Sequence, residues 1–361
     1  MAEPGEVERM IAAFDAAIGN SPDYPLRLID LAEQVVRHKA PLRALELVRQ
    51  ALARAPGDAR AMMRARTVAA RTLPSYHVGM MNDTRRNLAW DAALRRAIGP
   101  GMHVLEIGTG AGMLAMMAAR AGAGRVTTCE IQPVAAQMAR ELAALNGYAD
   151  RIRVIGKKSA DLRLGEDLER PADLLFCDIF GDNLVIFDPL TALADARRLL
   201  KPGAPVVPAF GAIKVALAHH REFARLAHID RAAGFDLSPM APFVAASVPS
   251  PVHDPAVTLM SAGEEAFRFD FAAASHPTSN ETEIVCRASR DGAANVILQW
   301  IRLELDAETV LEAKPDPAAR FFSQARFYPL VEPVSVRAGE RLRIGVAYRG
   351  RKAECWLAGR G

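Results

Sequence analysis

HVLEIGTGAGMLAMMAARAG, residues 103–122, carries the strongest structural signal in this 361-residue chain. A short apolar run enters Gly108, Gly110 and Gly112, and the chain then continues without a break into an apolar, alanine-rich helix. A strand that turns through glycines into a helix lays bare backbone against a ligand, at the positive end of the helix dipole. A dinucleotide would suit such a turn too. Three neighbours favour a nucleoside joined to methionine instead. Glu106 sits just inside the strand, the spacing is GxGxG rather than GxGxxG, and Glu130 closes the next strand, placed for ribose hydroxyls.

On either side of this motif, from about Ser75 to Pro208, the runs HVLEI, RVTTCE, IRVIG and LLFCDIF alternate with amphipathic helical stretches. That alternation predicts a parallel sheet with helices on both faces, a Rossmann-like α/β domain over residues 74–208. Beyond Pro208 the character changes. AIKVALAHH, AFRFDF, EIVCRA, NVILQWIRLEL, VSVRA and RLRIGVAY are separated by Gly, Pro or Asp turns and predict an antiparallel, barrel-like β domain over 209–361. With no low-complexity linker between them, the two domains are expected to share an interface and a cleft.

Residues 1–73 read as an all-α extension. Leu28, Leu31 and Val35 form one apolar stripe, and Leu45, Val48 and Leu52 form another on the next helix. Pro22 and Pro56 open equivalent stretches, at a separation that matches the tetratricopeptide period of about 34 residues. ALELVRQALARAPGDARA resembles the second helix and turn of that repeat.

Half of the chain is apolar, about a quarter is charged, and the net charge is only +3. Nothing in that balance demands nucleic acid, whose binding needs concentrated Lys and Arg. The acidic, polar N-terminus is wrong for a secretory signal, and no apolar run is long enough to cross a bilayer. A cytoplasmic location is expected. Cys129, Cys177, Cys286 and Cys355 lie far apart without CxxC pairs or nearby His, which indicates neither a zinc site nor a disulfide framework.

Four stretches, in order, resemble the protein arginine methyltransferases: YHVGMMNDTRRNLAWDAAL (76–94), VLEIGTGAGMLAMMAARAGAGRVTTCE (104–130), GFDLSPM (234–240) and FYPLVEPVSVRAGERL (327–342). The resemblance implies S-adenosyl-L-methionine as cofactor, with substrate bound between the α/β and β domains. It places Met81 beside the sulfonium, Arg86 on the methionine carboxylate and Ser159 near adenine. With Glu106, Gly108, Thr109, Gly110, Gly112, Glu130 and Ile131 these complete the expected cofactor set. The segment around Gly234 to Ser238 resembles the arm through which family members form homodimers.

Methylation of a guanidino group calls for carboxylates, one to hold the fork and one to localise charge. The family supplies two glutamates from the loop after the fourth strand. Here that loop is CDIFGDNLVIFDPL (177–190): Asp178 fills the first position, the second falls at or next to Phe187, and Asp182 and Asp188 are further candidates. Near RFFSQARFYPL, Phe321 and Phe322 stand where the family has His and Trp. The leading expectation is a methyltransferase acting on a protein or peptide side chain, most simply an arginine nitrogen. Transfer to a small molecule or a non-arginine peptide nucleophile is one alternative, and an inactive scaffold of the same fold is the other.

Overall fold

The computed structural model describes residues 5–18, 21–74, 76–222, 229–316 and 324–361. Four helices come first: α1 (Glu6–Ile18), α2 (Tyr24–Arg37), α3 (Pro41–Arg54) and α4 (Ala59–Ala69). They enclose a core of their own, built on Leu28, Ile29, Val35, Leu47, Val48 and Val68. Leu28, Leu31 and Val35 are buried on α2 as their spacing predicts. On α3 the buried face is Ala44, Leu47, Val48 and Ala51, turned from the predicted stripe because α2 and α4 both press on the side where small residues allow close approach. Asp58 caps α4, accepting from the backbone N–H of Arg60 at 2.8 Å and of Ala61 at 3.0 Å.

Helices α5 (Tyr76–Asn82) and α6 (Thr84–Ala97) lead into the parallel sheet. Its strands are β1 (His103–Ile107), β2 (Arg125–Cys129), β3 (Ile152–Ile155), β4 (Leu174–Cys177) and β5 (Val206–Val207), in the order β3-β2-β1-β4-β5. Helices α7 (Met113–Arg120), α8 (Pro133–Leu145) and α9 (Pro189–Ala196) connect them. Every residue of β1 is buried, as the uninterrupted HVLEI run requires of a central strand covered on both faces. Ile107 is level with Cys129 on one side and Cys177 on the other, so β1, β2 and β4 end together. Strand order reverses between β1 and β4, and a crevice opens at that point beyond the carboxyl ends. The run LLFCDIF is a strand only as far as Cys177. Asp178 leaves the sheet to meet an arginine of α6.

The second half begins with β6 (Phe210–His220), followed by a hairpin of β7 (Arg231–Ala232) and β8 (Phe235–Asp236). Then come β9 (Val248–Pro251), β10 (Val257–Leu259), β11 (Glu264–Asp270), β12 (Ser279–Arg287), β13 (Gly292–Glu304), β14 (Val310–Glu312), β15 (Gln324–Val336), β16 (Arg341–Arg349) and β17 (Lys352–Arg360). One antiparallel sheet runs β10-β6-β13-β15-β9, with β11 also on β6 and β14 on β13; a second runs β12-β16-β17. Phe267, Phe269, Phe271, Ile344 and Tyr348 join the core of the parallel sheet, so the two halves share one hydrophobic interior. Arg49 of α3 grips Glu141 of α8 with two bonds of 2.8 and 2.6 Å, tying the helical unit to the sheet domain.

Candidate functional site

The glycine turn has the conformation its composition predicts. Gly108, Gly110 and Gly112 take φ of +74°, +54° and +86°, a region that costs other residues a clash between Cβ and backbone. Space is as restrictive as torsion: a Cβ on Gly108 would stand 2.3 Å from Ile179 Cγ2, and one on Gly110 3.2 Å from the His77 ring. Gly112 is the N-cap of α7, leaving the helix's first N–H groups open toward the crevice.

Two carboxylates flank the turn. Glu130, just past β2, accepts from Gly110 N at 2.9 Å through Oε2 and from Gln132 N at 2.8 Å through Oε1. Each oxygen keeps a second lone pair, which suits vicinal ribose hydroxyls. Glu106 lies within β1, almost fully buried, with Oε2 lacking any partner. Burial pushes its carboxyl up to about 7, and the nearby hydroxyls of Thr109 and Thr128 offset that only in part. Thr109 is itself buried and holds the turn to β2 through its N–H on Cys129 O at 3.2 Å. Ile131, next after Glu130, is an exposed apolar side chain at the crevice's β2 side. Ser159 opens a short 3-10 turn after β3 and is half-buried.

The other wall comes from α5 and α6. Asp83 caps α6 by accepting from Arg86 N at 2.9 Å, which fixes the first turn and aims Arg86 across the crevice. Arg86 donates Nε to Asp178 Oδ2 at 2.7 Å, pairs the same oxygen through Nη2, and donates Nη1 to Asn87 Oδ1 at 2.9 Å. A guanidinium has five N–H groups, so two remain for a ligand carboxylate. Asn87 Nδ2 in turn binds the carbonyl of Met81 at 2.8 Å, so Met81 and Arg86 are set by one network.

The three acidic-loop candidates have separate partners. Asp178 is held by Arg86, with both side chains mostly enclosed. Asp182 is paired with Arg326 of β15 at 2.8 Å. Asp188 has a left-handed backbone at the N-cap of α9 yet makes no cap bond. It reaches Arg351 at 3.8 Å and lines a cleft of about 460 Å³ with His276 and Tyr348. Phe321 and Phe322 lie outside the described residues.

Sequence reasoning missed His77 and Tyr76. Their rings stack at a centroid distance of 4.4 Å, and His77 covers Gly110 from α5. Burial lowers the His77 pKa, a shift the Glu130 carboxylate opposes. Only their place in the stretch 76–94, just ahead of the Asp83 cap, hinted at a role. Asp83 carries a legible signal, since an Asp before a helix marks an N-cap, whereas Asn87 carries none.

The positive-φ turn, the ribose-competent Glu130 and the partly free Arg86 fit S-adenosyl-L-methionine. Comparisons agree with that chemistry. A family model described as ribosomal protein L11 methyltransferase (PrmA) matches residues 85–209. An arginine N(omega)-methyltransferase of Streptomyces achromogenes subsp. streptozoticus is 35% identical over 289 residues, covering 78% of each chain. Protein arginine N-methyltransferase 7 of Drosophila grimshawi is 31% identical over 258 residues, 65% of this chain and 37% of that protein. Among solved structures, the Trypanosoma brucei PRMT1 enzyme-prozyme heterotetrameric complex with AdoHcy superposes with a TM-score of 0.69 at 21% identity, covering 80% of this chain and 94% of that one. Arabidopsis thaliana protein arginine methyltransferase 10 follows with a TM-score of 0.64 at 16% identity, covering 79% and 98%. The glycine turn, the carboxylate and arginine around it, and a relative matched over most of both lengths lead to one conclusion: the chain is an S-adenosyl-L-methionine-dependent methyltransferase and belongs to the protein arginine methyltransferase family.

Proposed function

We propose that this enzyme methylates an ω-nitrogen of arginine carried by a protein or peptide, with Asp178 as the group that orients the acceptor. The observation that carries this reading is the Arg86–Asp178 pair at the mouth of the crevice. S-adenosyl-L-methionine supplies an electrophilic methyl group on a sulfonium. The chain's task is then to position a nucleophile and take up its charge. Arg86 engages only Oδ2 of Asp178, which leaves Oδ1 for a guanidino N–H. A carboxylate on one edge of the acceptor draws positive charge toward itself and enriches the opposite nitrogen as a nucleophile. Arg86 thus links the cofactor's carboxylate end to the residue that holds the acceptor.

Around this chemistry we place three units, 1–73, 74–208 and 209–361, the first with tetratricopeptide-like helical pairing. A homodimer through the arm is supported by Phe235 and Phe243 in and after the β7–β8 hairpin, which are 70% and 78% exposed. A cytoplasmic enzyme accords with the four cysteines being buried and unpaired. No described helix is long and apolar enough to cross a membrane.

The test is incubation with methyl-labelled cofactor and arginine-containing peptides, beside matching peptides with lysine in place of arginine. Label on guanidino nitrogen in the first set alone is the expected result. Equal incorporation into both sets would end the arginine assignment.

A further inference from the structure

From Asp178 to Leu190, the loop that leads into α9 has one exposed residue, Phe187, at 56%. Its other aromatic, Phe180, stacks on Phe271 at a centroid distance of 5.0 Å and packs against the shared core. Leu184 and Val185 are buried. Phe187 alone offers an accessible ring.

The ring is placed by the loop's own bonds. Asn183 Oδ1 accepts from Ile186 N at 2.7 Å, and Leu184 N donates to Gly181 O at 3.2 Å, so the chain folds back on itself. Phe187 thereby comes to rest on Gly181, where a Cβ would stand 3.2 Å from Phe187 Cε2. Gly181 follows Asp178 by three residues, a stretch that spans at most about 11 Å. Between them Ile179 packs on Gly108 of the glycine turn. One short piece of chain thus joins the exposed ring, the Asp178 carboxylate and the cofactor turn.

The loop's other two carboxylates are engaged elsewhere. Asp182 is enclosed and paired with Arg326, and Asp188 lines the cleft with His276 and Tyr348. Asp178 is left to meet a cationic acceptor by itself. A guanidinium is flat: its N–H groups bond to carboxylates within its plane, while its two faces stack on aromatic rings. An accessible ring beside a single carboxylate offers a second contact of a different kind.

We propose that Phe187 is a specificity-determining residue of the acceptor site, its π face taking the flat face of the acceptor guanidinium while Asp178 takes one edge. The proposal rests on the arginine reading given above. The two contacts use different parts of the cation and do not compete. A second carboxylate would claim another in-plane edge. A ring above the plane claims none, and it leaves the nitrogen opposite Asp178 uncovered for transfer.

The full chain and the variants Phe187→Tyr and Phe187→Leu are assayed for kcat/KM with an arginyl peptide, and S-adenosylhomocysteine affinity is measured on each by calorimetry. Phe187→Leu keeps an apolar side chain but removes the π face, and should lower kcat/KM by about tenfold, through KM. Phe187→Tyr keeps the ring and should stay within a few-fold of wild type. Affinity for S-adenosylhomocysteine should be unchanged in both, because the ring serves the acceptor alone. Wild-type kcat/KM in Phe187→Leu overturns the proposal, since the ring would then be no more than apolar cover. So does a Phe187→Tyr that falls as far as Phe187→Leu, or an S-adenosylhomocysteine affinity that falls in step with kcat/KM, the mark of a displaced loop. In each of these cases, transfer to the arginyl peptide by the wild-type chain leaves the arginine reading standing. No transfer to arginine by the wild-type chain would sink that reading, and this proposal with it.

Discussion

Glu106 shows how one side chain answers to its surroundings. Its carboxyl is raised from an ordinary value of 4.5 to about 7 because β1 buries it. The folded state therefore prefers the protonated form. Below the unfolded pKa both states hold the proton and no penalty arises; the penalty grows between pH 4.5 and about 7 and is complete above that. By linkage the whole shift is worth roughly 3 kcal/mol. Denaturation of the free enzyme across this window should show wild type losing stability relative to Glu106→Gln by up to that amount. Parallel pH profiles for the two proteins would contradict the assignment. The residues of the turn were legible in the sequence for a related reason: a left-handed backbone and a strand-end acid each restrict which residue type can stand there, as at Gly108 and Glu130. The Arg86–Asp178 pair was not legible as a pair. The two positions lie 92 residues apart, and only the crossing of α6 over the end of β4 brings them together.

Among the elements, α6 matters most to the site. Asp83 closes its N-terminus, and the N–H it accepts belongs to Arg86 itself. Asp83→Ala should lower stability by about 1–2 kcal/mol and also raise KM for the cofactor, because the helix's first turn carries the arginine. Asp83→Ser, which keeps a capping oxygen, should recover most of both. A loss of stability with unchanged cofactor KM would separate the cap from the site. Strands with strong alternation or full burial could be read from their residues, as β1 and β13 show. Two-residue β5 carried no period to detect, and α3 showed its apolar period but not which neighbour would select its buried face. The cover that α5 lays over Gly110 is a tertiary contact with no local signature beyond the residues themselves.

Taken whole, the molecule joins a helical unit, a parallel sheet and an antiparallel β half through few but directional links: Arg49 to Glu141, Arg96 to Asp306 and Gln299 to the acidic loop. The β7–β8 hairpin and the turn after it face outward, with Phe235, Met240 and Phe243 exposed. If these side chains seat on a second copy, Phe235→Ser combined with Phe243→Ser should shift sedimentation from dimer to monomer without loss of secondary structure. An unchanged sedimentation coefficient would remove the arm from the interface. In the proposed chemistry Asp178 acts on the acceptor while Arg86 serves both it and the cofactor. Measuring kcat together with S-adenosylhomocysteine affinity in Asp178→Asn separates these roles. We expect kcat to fall by about a hundredfold or more while the affinity stays within a few-fold of wild type. An unchanged kcat, or an affinity that falls in step with kcat, would contradict it and reduce Asp178 to a support for Arg86.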